Sequence, residues 1–295
     1  MNTAKEITGV LSGIVMEDIM DKNTLINEII NYVKTSEGNF IGENTAIRPD
    51  IIGLKLFDDP LVGFADANDP CFKELKNDGI IGSNFMLPEE WNEKAITVIS
   101  MFFPFTEKIR NANKENMDWP SPEWLHGRIE GQAFISRTCN YLKEYLENAG
   151  YKTIFPGGDS RFSQKSPMET DVNDERYFTS NWSERHVAYI SGLGTFGLSK
   201  GLITAKGTAG RLGSLITEVY FEPDKRKYKK IYEYCSLCGK CAGNCPSRAI
   251  TTEHGKLHVK CNIFLETVKE KHNPRYGCGK CQVNVPCEHG IPFLV

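Results

Sequence analysis

Eight of the ten cysteines lie in the last 61 residues, at spacings that suit ligands of iron–sulfur clusters. The first four follow the pattern Cys235-x2-Cys238-x2-Cys241-x3-Cys245-Pro246. This pattern is typical of bacterial proteins with two clusters, in which three of the cysteines bind one cluster and the fourth binds the other. The sequence therefore predicts a segment that moves electrons one at a time.

The remaining cysteines complete two groups of four ligands. Cys261 follows Cys245 after 15 residues, and Cys278-x2-Cys281 and then Cys287 come after it. The crossed ligand pattern predicts a first set and a second set, each for one [4Fe-4S] cluster. The first set is Cys235, Cys238, Cys241 and Cys287, and the second set is Cys245, Cys261, Cys278 and Cys281.

Zinc is the alternative, since paired Cys-x2-Cys units also build zinc ribbons. Zinc leaves the run that ends in Cys-Pro unexplained, and 39 residues separate the two Cys-x2-Cys pairs, whereas about 15–20 are usual in a ribbon. A disulfide framework is typical of short secreted chains, and this chain is not short. Clusters are therefore the favoured interpretation.

A second segment with possible chemistry is rich in glycine. Seven glycines fall between residues 192 and 213, and Gly192-Leu-Gly194-Thr-Phe-Gly197 formally matches the dinucleotide motif GxGxxG. That motif must follow a strand and open a helix, and here the preceding residues predict a helix. Two interpretations stay open: a turn-rich connection, or a cradle in which the backbone approaches a bulky cofactor.

The elements that must position these segments alternate along the chain. Apolar periodicity predicts helices over residues 22–34, 129–148 and 183–191, and strands over residues 51–57, 61–65, 95–105 and 212–221. The stretch 95–105 is apolar almost throughout, which favours a central position in a sheet. Helices interleaved with strands predict an α/β or α+β core.

Length and composition predict two domains, an α/β domain over 1–228 and a cluster domain over 229–295. The net charge of −3 implies no general nucleic-acid surface. Six residues from Lys225 to Lys230 are an exception, interpreted as a solvated linker rather than a docking patch for an acidic electron donor or RNA. The most apolar stretch, 95–106, is too short to span a bilayer, so no membrane is expected and a cytoplasmic location is predicted.

Several pieces of this chain resemble the epoxyqueuosine reductases, which are related to the reductive dehalogenases. The pieces are Ser183-Glu184-Arg185, Gly192-Leu193-Gly194, the strand sequence of 212–217, and the eight cysteines. The resemblance covers roughly residues 90–290. It implies the fold class α+β (α/β-type): a nitroreductase-like domain that binds base-off cobalamin, followed by a ferredoxin-like domain with two [4Fe-4S] clusters.

The chain departs from that family at three places. Phe178 aligns where the family has its catalytic aspartate, and residues 195–199 replace a tryptophan followed by Gly-Lys-Asn. The last cysteine is displaced, since Val285-Pro286-Cys287 stands in for a Cys-Pro pair. These changes leave cluster binding intact but do not carry epoxide reduction on tRNA over to this chain, so tRNA is a disfavoured partner.

Reduction of an organic substrate needs a proton donor as well as electrons. With the aspartate replaced, the candidate catalytic residues are Tyr177, Asp174 and His126; an exposed acidic loop over 168–178 is the alternative for the first two. The predicted cofactor-binding residues are Arg128, Glu130, Glu184, Arg185, Gly192, Gly194, Gly197, Gly213 and Ser214. For Arg128 and Glu130 the alternative is an ordinary surface pair at a helix start.

Two functions compete. One is a cobalamin-dependent reductase of a small substrate or modified nucleoside, in which the clusters feed electrons to the corrinoid. The other is a cobalamin-free electron-transfer protein that serves a partner, for example by reactivating a corrinoid protein. FMN is a less favoured cofactor. Either function needs a low-potential electron donor, a ferredoxin or a flavodoxin.

Overall fold

A computed structural model describes residues 20–165 and 179–292 and has a mixed α/β architecture. The helices are α1 (Lys22–Thr35), α2 (Pro70–Glu74), α3 (Pro88–Trp91), α4 (Glu107–Glu115), α5 (Pro122–Asn148), α6 (Glu184–Ile190), α7 (Lys240–Gly243) and α8 (His258–His272). The strands are β1 (Leu61–Asp66), β2 (Thr97–Pro104), β3 (Thr153–Ile154), β4 (Gln164–Lys165), β5 (Thr179–Ser180), β6 (Gly194–Phe196), β7 (Leu202–Thr204), β8 (Gly210–Thr217), β9 (Ile250–Thr251) and β10 (Gly255–Lys256). Short 3₁₀ turns cover Glu37–Asn39, Pro49–Ile51 and Pro156–Gly158.

The main sheet has four antiparallel strands in the order β1-β2-β8-β3. Every residue of β2 is buried, because strands flank it on both edges and side chains cover both faces. The register pairs Phe64 of β1 with Ile99, which pairs in turn with Leu215 of β8. The prediction of a central strand over 95–105 is confirmed, and so is a strand within 212–221.

Helix α5 lies against the sheet and begins earlier than predicted. Ser121 caps it by accepting a hydrogen bond from the Trp124 N–H at 3.2 Å, and Pro122 occupies the first turn. The predicted start at 129 was late because Gly127 and Gly131 interrupt the apolar pattern. Both glycines are needed for packing, since a Cβ there would press against the rings of Phe105 and Phe57.

The predicted strand over 51–57 is wrong. Instead, Pro49–Ile51 forms a 3₁₀ turn, and Gly53 adopts a φ of +74° that breaks any extended run. Only isolated bridges remain, Phe40 with Lys55 and Phe57 with Phe105. Apolar content alone did not distinguish this irregular segment from a buried strand.

Two large apolar clusters fix the sheet and its helices. One contains residues of α1, α5 and the sheet, with Phe57, Phe103 and Phe134 at its centre. The other surrounds Trp182, which stacks near-parallel on Phe85 with ring centroids 5.7 Å apart. Helix α6 is anchored to this second cluster. Phe196 and Leu202 of the glycine segment pack with Ala188 of α6 in a third, smaller cluster.

The cysteines follow the sheet in a region that contains the short elements α7, β9 and β10 and the 15-residue helix α8. The order before it is helix α6, glycines and then strand β6, the reverse of a dinucleotide site. Among the described residues, no helix is long and apolar enough to cross a membrane.

Candidate functional site

The first set of cysteines converges on one cleft. Cys235, Cys238, Cys241 and Cys287 line a space of about 380 Å³ that opens partly to solvent. The opposite wall is the loop after β6, with Gly197, Leu198 and Ser199. The glycine segment and the cysteines therefore meet at the same site.

Local backbone geometry turns these cysteines inward. Leu237 and Gly239, between the closely spaced cysteines, adopt left-handed φ angles of 52° and 70°. The Leu198 N–H lies 3.4 Å from Cys235 Sγ and donates to it. Such donors favour the negative charge of a ligating sulfur, and they are a recognised control of cluster potential.

The second set is built from three separate segments. Cys245 follows α7, Cys261 lies in the first turn of α8, and Cys278 and Cys281 occupy a turn near α5. Burial raises the pKa of the Cys281 thiol, and the nearby thiols of Cys261 and Cys245 raise it further. Cys245 and Cys261 therefore lie near Cys281, and Cys278 lies near Cys281 and Cys261. The grouping of these four as one ligand set stays a prediction.

Glycines allow the turn of the second set to approach the sheet region. Gly279 has a φ of 69°, and a Cβ there would overlap the ring of Trp124. The Ala249 N–H donates to Cys245 Sγ at 3.2 Å. Each set thus has a backbone N–H directed at one of its sulfurs.

The thiols lie close enough together that their negative charges would repel one another if they ionised without a cation. Burial raises the pKa of Cys241 to about 11 and of Cys278 and Cys287 to about 12, and neighbouring thiols add to each shift. Thiolates are the ligand form of cysteine, so iron would offset the charge that burial opposes. Within the described residues, no three His, Cys, Asp or Glu side chains converge to hold a single metal ion.

Basic side chains lie between the second set and the sheet. Burial lowers the pKa of Arg185, the thiols of Cys281 and Cys261 act to raise it, and Arg128 acts to lower it. The Arg185 side chain nevertheless keeps accessible surface, as a side chain does when it lines a cleft. Near it, Lys256 hydrogen-bonds Cys261, and the thiols outweigh burial and raise the pKa of Lys256.

Arg211 and Arg128 extend this basic face. Arg211 donates to Gln132 Oε1, and burial together with Arg128 and Arg185 places its pKa well below the usual range. Arg128 donates to the Tyr276 hydroxyl at 2.8 Å and lies over its ring. The sequence indicated Arg128 and Arg185 but missed Arg211 and Lys256, whose neighbours in sequence carry no sign of this placement.

Glu184 begins α6 and precedes Arg185 of this face. Burial raises the pKa of its carboxyl to about 7, against a hydrogen bond with Ser214 that lowers it. The Ser214 hydroxyl also accepts from Trp182 Nε1 at 2.9 Å. Burial and the neighbouring Arg185 lower the pKa of His186 to about 4, and its Nδ1 hydrogen-bonds the Ser183 hydroxyl.

His126 and Glu130 link α5 to the cysteine region. His126 is fully buried; its Nε2 accepts the Ile47 N–H at 3.1 Å, and its Nδ1 lies 3.1 Å from Glu130. Arg275 also binds Glu130. Burial acts to raise the pKa of Glu130, but hydrogen bonds from His126 and Arg275 outweigh it and lower that pKa. The predicted roles of His126 in catalysis and Glu130 in cofactor binding stay predictions.

The predicted cofactor-binding glycines have packing roles. Gly192 adopts a φ of +81°, and a Cβ at Gly194 would overlap the backbone of Ile203 in the β6–β7 hairpin. Gly197 lies against the Ile203 side chain, and Gly213 lies against Ile135 and Cys139. A role of these glycines in cofactor binding stays a prediction.

Two of the predicted catalytic residues, Tyr177 and Asp174, lie outside the described residues, as does Phe178. Sequence reasoning also missed Lys280, which lies between two cysteines of the second set. It is fully buried and donates to the backbone and side-chain oxygens of Asn113, and burial lowers its pKa to about 8. It anchors this turn to α4.

Comparison with known proteins agrees with this site. Residues 228–251 match the family described as a 4Fe-4S binding domain. A segment of 68 residues is 40% identical to the tetrachloroethene reductive dehalogenases of Desulfitobacterium hafniense and Dehalobacter restrictus. This segment is 23% of the chain and spans only 12% of the length of those relatives.

Solved structures give the fold. An epoxyqueuosine reductase, in a complex with a modified tRNA stem loop, is 18% identical with a TM-score of 0.50, over 92% of this chain and 67% of that one. A catabolic reductive dehalogenase is 12% identical with a TM-score of 0.51, over 92% of this chain and 37% of that one. The chain therefore has a 4Fe-4S binding domain and the fold shared by the epoxyqueuosine reductases and reductive dehalogenases.

Proposed function

We propose that this protein is an iron–sulfur oxidoreductase in which two [4Fe-4S] clusters supply electrons to a corrinoid held base-off by the sheet region. The corrinoid would serve the reduction of a small substrate or a modified nucleoside. The observation that carries the proposal is a cleft lined by four cysteines, with the thiols of Cys261 and Cys281 near a basic face that includes Arg185. The two-domain division at residue 228 is part of the same proposal.

The donor chemistry of both sets suits clusters. Each set offers four thiols, at least one backbone N–H directed at a sulfur, and thiol crowding that a cationic iron centre would relieve. The first set is Cys235, Cys238, Cys241 and Cys287; the second is Cys245, Cys261, Cys278 and Cys281.

The residues beside the second set suit a corrinoid. A corrinoid has carboxamide side chains and a phosphodiester, groups that bind guanidinium and ammonium donors. Arg128, Arg185, Arg211 and Lys256 offer such donors, and one buried carboxylate oxygen of Glu184 has no hydrogen-bond partner. When bound, the corrinoid would supply a strongly reducing cobalt centre.

Glu184 would hold a proton close to this face at neutral pH. Its pKa of about 7 leaves a large protonated fraction under those conditions. The chain's own role would then be to orient the corrinoid with basic side chains, exclude water with buried residues, and keep protons available at a carboxyl group.

A second candidate function is an electron-transfer protein without cobalamin that serves a partner such as a corrinoid protein. The glycine contacts favour it, because Gly194 and Gly213 have packing roles that need no cofactor. Phe178, at the position of the family aspartate, points the same way.

Anaerobic reconstitution with iron and sulfide separates these candidates. We expect about eight iron atoms per chain for two clusters. Replacement of Cys241 or Cys261 by serine should each remove about half of the iron, whereas Cys71→Ser, outside both sets, should retain it. Iron near zero in the wild type, with zinc in its place, would overturn the cluster proposal.

Cobalamin titration of the reconstituted protein then tests the corrinoid. A change to a base-off spectrum in absorbance and EPR supports the reductase. We expect Arg185→Ala to weaken binding and Arg137→Ala, an exposed arginine elsewhere on α5, to leave it unchanged. Full iron content without cobalamin binding, even at excess, would instead establish the electron-transfer candidate.

A further inference from the structure

The two sets differ in how close they lie to solvent. Cys238 of the first set is exposed, and the other seven cysteines of the two sets are partly covered. The second set adjoins the basic face and the fully buried Lys280. If the proposed function holds, electrons must enter from outside, and the first set is the nearer one to an external donor.

Three large apolar side chains project into solvent beside the first set. Ile231 is 47% exposed, Tyr232 is 49% exposed and Leu237 is 60% exposed. We call these three residues the entry patch. They bracket Cys235 in the sequence, and Leu237 immediately precedes the exposed Cys238. A protein that covered the entry patch would therefore lie over the first cluster.

The backbone of the entry patch is held firmly. The Phe196 N–H donates to the Ile231 carbonyl at 2.8 Å, and the Tyr234 N–H donates to Thr195 Oγ1 at 2.9 Å. The Cys235 N–H donates to the Tyr232 carbonyl at 3.0 Å. Since these bonds fix the turn, the apolar side chains are presented to water by a rigid scaffold, as interface residues are.

Glu233 strengthens the same turn. Its carboxylate accepts hydrogen bonds from the backbone N–H groups of Lys229 and Lys230 at 2.7 and 3.0 Å. The acid is thereby engaged with the backbone, and the side chains of both lysines stay exposed. The turn thus presents its positive charges outward.

Charge in the sequence around the entry patch is mostly positive. Between positions 225 and 241 there are six basic residues and one acidic residue, in a chain whose net charge is −3. Arg226 pairs with Asp69 at 2.6 Å. Exposed lysines remain on both sides of the patch: Lys225, Lys227, Lys229, Lys230 and Lys240. An apolar centre with a basic rim is complementary to a partner with an acidic rim.

We propose that the entry patch and its lysine rim dock an acidic one-electron carrier protein of the flavodoxin or ferredoxin class, which reduces the first cluster. This proposal rests on the proposed function, and it assigns a docking site to the electron donor which that function needs. In each encounter the reduced carrier loses one electron and the first cluster gains it, with no bond made or broken. A second cluster, held by the thiols beside the basic face, would then receive the electron.

Stopped-flow absorbance under anaerobic conditions tests the docking, with reconstituted full-length protein and reduced flavodoxin as the probe. We expect the second-order rate constant to fall as ionic strength rises, because opposite charges steer the encounter. The double variant Lys227→Glu/Lys230→Glu should lower the rate by at least about 10-fold at low salt. The control variant Lys108→Glu/Lys269→Glu changes the net charge of the protein by the same amount, at positions on α4 and α8. Its rate constant should stay within about 2-fold of the wild-type value.

The apolar centre is tested separately. Ile231→Ser/Tyr232→Ser should weaken formation of the complex, with a several-fold lower rate that persists at high salt. Tyr220→Ser, which also changes a tyrosine with 60% of its surface exposed, is the matched control. Equal rates for the patch variant and its control would overturn the proposal.

Reduction by dithionite distinguishes this proposal from the proposed function. Clusters that dithionite reduces normally in every variant, with carrier rates insensitive to salt and to the lysines, would overturn the docking proposal and leave the function standing. Failure of both dithionite and the stronger reductant Ti(III) citrate to reduce the wild type would overturn the function itself. If a tRNA stem loop binds instead, and only when the lysines are intact, the patch is an RNA surface and the carrier proposal is wrong.

Discussion

The sheet region and the cysteine region are stabilised by different kinds of interaction. Around the sheet, buried aromatic rings contact one another, as Phe57 does with Phe103, Phe105 and Phe134. In the described part of the cysteine region, residues 229–292, the buried hydrophobic residues are small and aliphatic. They are Ala249, Ile250, Val268, Val283 and Val285.

This difference has a thermodynamic meaning. The sheet region buries enough apolar surface for a core that needs no ligand. A segment of about 65 residues with so few buried side chains belongs to the size class that usually needs metal or disulfides. Folding of the cysteine region is therefore expected to depend on iron, and folding of the sheet region is not.

Removal of the metal should have the largest effect and tests the comparison directly. Without clusters, we expect the backbone amides of residues 235–287 to lose protection from hydrogen exchange by orders of magnitude. The amides of β2 and β8 should keep theirs. Hydrogen exchange with mass spectrometry on protein before and after chelation measures both. Equal loss in the two regions would show that they fold as one unit.

A cavity in the aromatic core should destabilise the sheet region and leave iron binding by the cysteine region unchanged. Phe57→Ala removes a fully buried ring and is expected to lower the free energy of unfolding of the sheet region by about 3–5 kcal/mol. Iron content of the folded protein should stay unchanged. Urea denaturation followed by tryptophan fluorescence measures the loss, and Ile52→Ala, at a side chain 45% exposed, is the control.

Sequence and structure agree best where a single residue type determines the outcome. The cysteine spacing predicted the 4Fe-4S binding domain, because cluster ligation restricts spacing strongly. The continuous apolar run of β2 predicted a central strand, because burial on both faces leaves no polar position. The glycine motif after α6 was recognised as misplaced for a dinucleotide.

The sequence was less informative where contacts between residues far apart in the chain determine the partners of a side chain. Glu130 was predicted to bind a cofactor or to form a surface ion pair with Arg128. It binds Arg275, which is 145 residues away. Arg211 lies on β8, and its hydrogen-bond partner, Gln132, lies on α5. Neither contact leaves a local pattern, because each depends on how α5 and the cysteine region are brought together.

The junction between the two regions offers a sharper test of their independence. Glu288, next to Cys287, is buried and pairs with Arg110 at 2.9 Å and Lys114 at 2.7 Å, both on α4. Glu288→Ala would leave these cations without their partner, and we expect a destabilisation of about 3 kcal/mol. This destabilisation should affect the cysteine region more than the sheet region.

Retention of iron measures this effect. Since Glu288 also accepts the Asn284 N–H at 2.8 Å, its loss should loosen the loop that presents Cys287. We expect the variant to lose about half of its iron on anaerobic dialysis, from the first set. Glu270→Ala, at an exposed position of α8, is the control. Unchanged iron in Glu288→Ala would show that the ligand loop is held without α4.

Glu184 should produce the smallest effect, one confined to the sheet region and dependent on pH. Because burial raises its pKa from 4.5 to about 7, the folded protein favours the protonated carboxyl. The contribution of Glu184 to stability is then fully present below pH 4.5 and is lost as the pH rises through 7. A shift of this size corresponds to at most about 3 kcal/mol, and partial exposure reduces it to about 1–2 kcal/mol.

Glu184→Gln replaces the carboxyl with a neutral group of the same shape and should remove this dependence. We expect the variant and the wild type to have similar urea midpoints at pH 5 and the variant to be more stable at pH 8. His186 has a pKa lowered to about 4, so it opposes folding only at acid pH, and both proteins share that loss. A wild type that gained stability between pH 5 and 8 relative to the variant would mean that Glu184 is ionised in the folded protein, with its charge balanced by Arg185 and its neighbours. The basic face would then be partly neutralised by the protein itself, and fewer of its cations would be left to bind an anionic group.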